Sequence, residues 1–114
     1  MLEWHALTTS AELQALTRKS HDTPAVILKH STRCGASAVV KRRLEEDWDI
    51  EAGAAHAHLL DLIGHRDVSD EVAETFGVQH ESPQVLIIKD GRSIFDASHG
   101  DVSVAAIKRA LESM

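Results

Sequence analysis

Three short apolar runs frame this chain: Ala25-Val26-Ile27-Leu28, then His58 to Ile63, then Val85-Leu86-Ile87-Ile88. Their length suits strands rather than helices, and the β-branched content of the first marks a central strand buried on both faces. Between the first two runs, from about Cys34 to Trp48, apolar Val40, Leu44 and Trp48 recur every four residues, which is the stripe of an amphipathic helix. Strand, helix and strand in that order predict a right-handed parallel crossover.

The flanking segments complete the pattern. Thr9-Ser10-Ala11-Glu12 has the form of a capping box, opening a helix that turns Leu13 and Leu16 to one side. Residues around Trp4 to Leu7 suggest a short edge strand, and Pro24 punctuates the approach to the central strand. Ser69 is expected to cap a short helix over Asp70 to Phe76, with Asp70 and Glu71 in its first turn and Gly77 as its C′ residue. Lys89-Asp90-Gly91 joins the third apolar run to Arg92–Ala97 as a hairpin turn. A last helix starts at Asp101 or Ser103 and points Val104, Ile107 and Leu111 inward. The order (β)αβαβαββα predicts an α/β fold, thioredoxin-like, with a mixed central sheet and helices on both faces.

Composition narrows the function. At 114 residues, 43% apolar and 26% charged, the chain is expected to be one domain over residues 1–114. It has no repeats and no low-complexity segment. A net charge of −6 argues against nucleic acid or an anionic membrane as partner. The basic cluster Lys41-Arg42-Arg43, followed by Glu45, Glu46 and Asp47, reads as a solvated helix face in preference to a local anion site. One cysteine excludes an intramolecular disulfide and any multi-cysteine metal site. Met1-Leu2-Glu3-Trp4-His5 lacks a signal pattern and no apolar run approaches about 18 residues, so a cytoplasmic location is expected.

That one cysteine, Cys34, falls where a buried strand ends and a helix begins, in Lys29-His30-Ser31-Thr32-Arg33-Cys34-Gly35-Ala36-Ser37. Most lone cysteines are buried small hydrophobes. This position argues for a reactive thiol instead, because free N–H groups and the positive end of a helix dipole stabilise a thiolate, and Arg33 adds a neighbouring cation. Ser37 lies one turn on. Its hydroxyl either donates to the thiolate or helps satisfy N–H groups near the helix start, and it cannot attack a mixed disulfide. Resolution must therefore come from an external thiol. Ser82-Pro83 stands immediately before a strand, where a cis bond would form a sharp turn against the cysteine and leave the Ser82 backbone free to pair with an extended substrate. Of the eight histidines, His30 and His99 are placed to approach Cys34. His56 and His58 share a strand face, but with no third ligand evident they read as scattered surface histidines, and no metal site is expected.

Lys29-His30-Ser31-Thr32 ahead of Cys34 and Ser37, then His80-Glu81-Ser82-Pro83-Gln84, Lys89-Asp90-Gly91, and Ala97-Ser98-His99 with Asp101, resemble the monothiol bacilliredoxin family. The likeness runs from about residue 25 to the C-terminus. It implies a thioredoxin-like fold and a thiol–disulfide oxidoreductase that works with bacillithiol, a small thiol carrying glucosamine and malate. Cys34 would attack S-bacillithiolated proteins and take up the bacillithiol; a second bacillithiol or a dedicated reductase would release it. The resemblance implies no tightly bound cofactor, bacillithiol being a co-substrate. It maps Thr32, Ser37, Ser82 and Pro83 to the active-site surface, with His99 and Asp101 on its rim. Gly35 departs from the proline usual in that family.

Two other classes compete. Cys34-Gly35-Ala36-Ser37 also resembles the C-G-F-S of monothiol glutaredoxins, which would imply a dimer sharing an iron–sulfur cluster, but the Gly-Gly pair those proteins use for glutathione is absent, Asp101 following His99-Gly100. A redox-inert module binding peptides at its Ser82 edge is the third.

Overall fold

A computed structural model describes residues 2–113, so Met1 of the leading segment and Met114 lie outside it. The strands are β1 (Trp4–Ala6), β2 (Ala25–His30), β3 (His56–Asp61), β4 (Gln84–Lys89) and β5 (Arg92–Ser98). The helices are α1 (Ser10–Lys19), α2 (Gly35–Asp47), α3 (Arg66–Phe76) and α4 (Val104–Glu112), and a short 3₁₀ turn spans His99–Asp101. The five strands form one sheet in the order β1-β3-β2-β4-β5. β1 and β2 run parallel to β3, whereas β4 runs antiparallel to both β2 and β5.

Alternation along the strands builds two cores. Ala25 and Ile27 of β2, with Leu86 and Ile88 of β4, face Leu13 and Leu16 of α1 and Val68 and Val72 of α3. Val26 and Leu28, with Val85 and Ile87, face Val40 and Leu44 of α2 and Val104 and Ile107 of α4. Every residue of β2 is buried, as a strand covered on both faces and flanked on both edges must be.

The caps are mostly local. Thr9 accepts from the Glu12 N–H while Glu12 reaches back to the Thr9 N–H, completing the capping box. Ser103, not Asp101, caps α4. Asp90 and Gly91 both take positive φ, 53° and 79°, as a tight hairpin demands. The hairpin tip is fastened to the end of α1: the Asp90 N–H donates to the Ser20 carbonyl at 3.0 Å and the Gly91 N–H to the Ser20 hydroxyl at 2.9 Å.

Two boundaries differ from the sequence reading. α3 begins at Arg66 with His65 at its N-cap, so Ser69 lies buried inside the helix and does not start it. The turn before it is built by Asp61, whose carboxylate accepts from the Ile63 N–H and whose carbonyl accepts from the His65 N–H. β3 spans His56–Asp61, two residues ahead of the expected run, because its pairing with β1 and β2 starts at His56 and Ala57, and Ile63 stands exposed beyond its end.

Candidate active site

Cys34 occupies the N-cap of α2, with extended dihedrals of φ −113° and ψ 118°, and is half-buried. The N–H groups of the first helical turn have no intrahelical acceptor there. Thr32 and Arg33 are exposed in the preceding turn, which the Cys34 N–H closes on the Ser31 carbonyl at 3.2 Å. Arg33 engages this turn through its backbone, donating its N–H to the Ser31 hydroxyl at 3.3 Å.

Ser37 is entirely buried, and its oxygen is occupied. It accepts the Ser31 N–H at 3.0 Å and is hydrogen-bonded to His30 Nδ1 at 2.7 Å. No hydrogen bond between Ser37 and Cys34 is present among the described residues. Of the two roles open to Ser37, the geometry favours the second: it pins the Cys34 loop to the first turn of α2. Burial, and then the Lys41 ammonium, hold the His30 imidazole below its ordinary value. In its Nε2–H tautomer a neutral His30 accepts the Ser37 proton at Nδ1, and the hydroxyl then has no proton to offer the sulfur. Lys41 itself is paired with Glu45 at 2.8 Å, and Glu45 also accepts from the Trp4 indole, so of the basic cluster Arg42 and Arg43 are the exposed members.

The antiparallel register of β2 with β4, ending at Lys29 opposite Gln84, brings Ser82-Pro83 to the same end of the sheet as Cys34. The Ser82–Pro83 peptide is cis. The Pro83 carbonyl accepts the His99 N–H at 2.9 Å, and His99 Nε2 lies 3.7 Å from Glu81. The His99–Asp101 turn packs against α2. Thr32, Cys34, Ser82, Pro83, His99 and Asp101 thus gather at one end of the molecule, with His99 engaging the proline turn.

Behind this surface lies a group that the sequence reading passed over. Lys29 is fully buried, and burial lowers its ammonium to about 8. Its Nζ donates to the Ser69 carbonyl at 3.3 Å and stands 3.3 Å from His80 Nδ1. The only sequence signal was a lysine at the end of an otherwise apolar run. Among the described residues no cluster of three metal-ligating side chains is arranged around one point. None of the described helices is long and apolar enough to cross a membrane.

The fold is shared with solved structures. A candidate oxidoreductase with a thioredoxin fold superposes with a TM-score of 0.79 at 25% identity, over 94% of this chain and 92% of its own. The Malassezia sympodialis thioredoxin gives 0.77 at 18% identity over 99% and 91%, and that of Trypanosoma brucei brucei 0.76 at 12% over 97% and 89%. The last two establish the thioredoxin fold alone. The segment Cys34-Gly35-Ala36-Ser37 holds one thiol, with a serine three residues on. The family description "Monothiol bacilliredoxin BrxC" matches residues 5–107, and the chain belongs to that family of thiol redox proteins.

Proposed function

We propose that the protein removes bacillithiol from S-bacillithiolated proteins through Cys34. The observation that supports this reading best is a half-exposed lone thiol at a helix start, at the same end of the sheet as the Ser82-Pro83 turn, with a serine bound elsewhere in the second position. The Cys34 thiolate attacks the bacillithiol sulfur of the mixed disulfide; the protein thiolate leaves, and the bacillithiol passes to Cys34 as a new disulfide. A second bacillithiol thiolate then attacks the carried bacillithiol sulfur, giving bacillithiol disulfide and free Cys34. The Ser82 backbone aligns an extended substrate, Arg33 supplies the cation next in sequence to the nucleophile, and Thr32, His99 and Asp101 border the sugar–malate portion. Bacillithiol is a co-substrate here, and the reducing cytoplasm is the setting the chemistry requires.

The test uses a protein carrying one bacillithiol adduct. Release should be fast with the wild-type chain and absent with Cys34→Ala, since no other thiol can serve as nucleophile. Equal rates for the two proteins would end the proposal.

A further inference from the structure

Lys29 is a fully buried cation that the thiol chemistry does not use. It is the last residue of β2 on the face that carries Ala25 and Ile27, and the register with β4 sets it opposite Gln84, next to the Ser82-Pro83 turn. Its Nζ stands 3.3 Å from His80 Nδ1, and Ser69 Oγ of α3 lies 3.4 Å from the same nitrogen. An ammonium only donates, so His80 Nδ1 is the acceptor in this contact and the neutral ring carries its proton on Nε2.

The same polar layer fastens the segment that carries the turn. Buried Gln84 donates from Nε2 to the Gln79 carbonyl at 2.9 Å, and the Pro83 carbonyl accepts the His99 N–H at 2.9 Å. Between these two fastenings, His80 is held by Lys29 and Ser69. The amide and backbone bonds persist at any pH near neutral, but the Lys29–His80 bond does not. A proton added to the neutral ring goes to Nδ1, the accepting nitrogen, and sets two cations 3.3 Å apart. Arg66 and Asp70 of α3 and the adjacent Glu81 also face the ring, and Glu81 in turn faces His99. Burial, then Lys29 and Arg66, hold His80 below its ordinary value against the opposing pull of Asp70 and Glu81. Lys29, lowered by burial to about 8, keeps its charge at neutral pH.

We propose that Lys29 is a positioning residue for the Ser82-Pro83 turn, acting through His80, and that protonation of His80 unlatches the turn and weakens capture of a protein disulfide while Cys34 stays accessible. This role rests on the reading in which the Ser82 backbone aligns the substrate. The latch is closed at neutral pH and opens as the pH falls below the ordinary histidine value of 6.5.

The test lowers the pH of the full chain from neutral through the histidine range, in wild type, Lys29→Met and His80→Asn. Asparagine sets a carbonyl oxygen where Nδ1 stood and cannot take the proton. Ring NMR follows His80, and nitrogen relaxation follows backbone order at Glu81 and Ser82. Order should fall in step with His80 protonation in wild type and hold constant in His80→Asn, a comparison that stands whether or not Lys29→Met folds. Lys29→Met should raise the His80 midpoint toward 6.5. In parallel, the single-turnover rate of bacillithiol transfer from a modified protein to Cys34 is divided by the rate of Cys34 alkylation with iodoacetamide. Alkylation cancels changes in the thiolate fraction, including any that His30 causes. The ratio should drop about fivefold or more through the His80 transition in wild type and stay level in His80→Asn. A turn whose order ignores His80 protonation, an unmoved midpoint in Lys29→Met, or the same ratio profile in wild type and His80→Asn would each overturn the latch. Transfer absent at every pH, with the NMR behaviour as expected, would instead overturn bacillithiol removal by Cys34 and leave the latch standing.

Discussion

Replacing Ser37 with alanine tests the clamp that holds the nucleophile loop. The side chain is wholly buried and its oxygen serves two partners, the Ser31 N–H at 3.0 Å and His30 Nδ1 at 2.7 Å. Alanine suits the first turn of a helix and leaves a void no larger than one oxygen, so the loss is that of the hydrogen bonds. A buried donor or acceptor left without a partner costs about 1–3 kcal/mol. The His30 nitrogen, in a residue only 7% exposed, belongs near the top of that range. The Ser31 N–H, in a half-buried residue, can recruit water and belongs near the bottom. The sum is about 4 kcal/mol, which lowers the thermal midpoint by about 16 °C at about 4 °C per kcal/mol for a chain of this size. Circular dichroism during thermal and urea unfolding measures it, alongside the rate of Cys34 alkylation by iodoacetamide. A variant within about 0.5 kcal/mol of wild type would refute the clamp. Unchanged stability with slowed alkylation would instead return the hydroxyl to the sulfur.

The remaining predictions concern the helix start and two buried bases. Gly35→Pro should raise the thermal midpoint by about 4 °C, or about 1 kcal/mol. Proline suits the first helical position, Cys34 already has the extended dihedrals that a following proline requires, and nothing lies within 4 Å of an added Cβ; a fall in the midpoint would contradict this. Lys29, lowered by burial to about 8, is charged in both folded and unfolded chains at neutral pH. Between about 8 and 10.5 the unfolded chain holds the extra proton, so stability rises with pH in that window; Lys29→Met should remove that part of the slope in urea midpoints. His58, lowered by burial to about 4, works the same way in acid. Below the ordinary histidine value near 6.5 the unfolded chain takes up the proton first, so stability falls from there down to about 4. His58→Gln should flatten that decline, and an unchanged profile would count against the burial.

Legibility followed the range of the interactions. The hairpin at Asp90-Gly91, the Thr9–Glu12 capping box and the buried β2 are each encoded within a few residues, and each is present. The start of α3 was misread because Ser69 has the ordinary cap chemistry, whereas His65 makes no side-chain cap hydrogen bond and the helix entry is organised by Asp61. At the Cys34 end, the cysteine, the proline turn and His99 could be placed from strand order, and Asp101 from the family resemblance. The Ser37–His30 contact could not, since it depends on how β2 and α2 pack. Lys29 was hidden for a similar reason: a lysine in a strand announces nothing until α3 and His80 cover it.

One seam, β2 against β4, unites the parallel part of the sheet with its antiparallel part. Cys34 hangs from one side of that seam and Ser82-Pro83 from the other, so the thiol and the backbone that the proposed reaction pairs belong to different halves of the chain. Five paired positions set the gap between them, and the Ser20 anchor on the hairpin tip secures the far end. Central ladders of this kind open only with global unfolding. Fraying of β1 or β5 at the margins would therefore leave the separation of Cys34 from the Ser82-Pro83 turn unchanged.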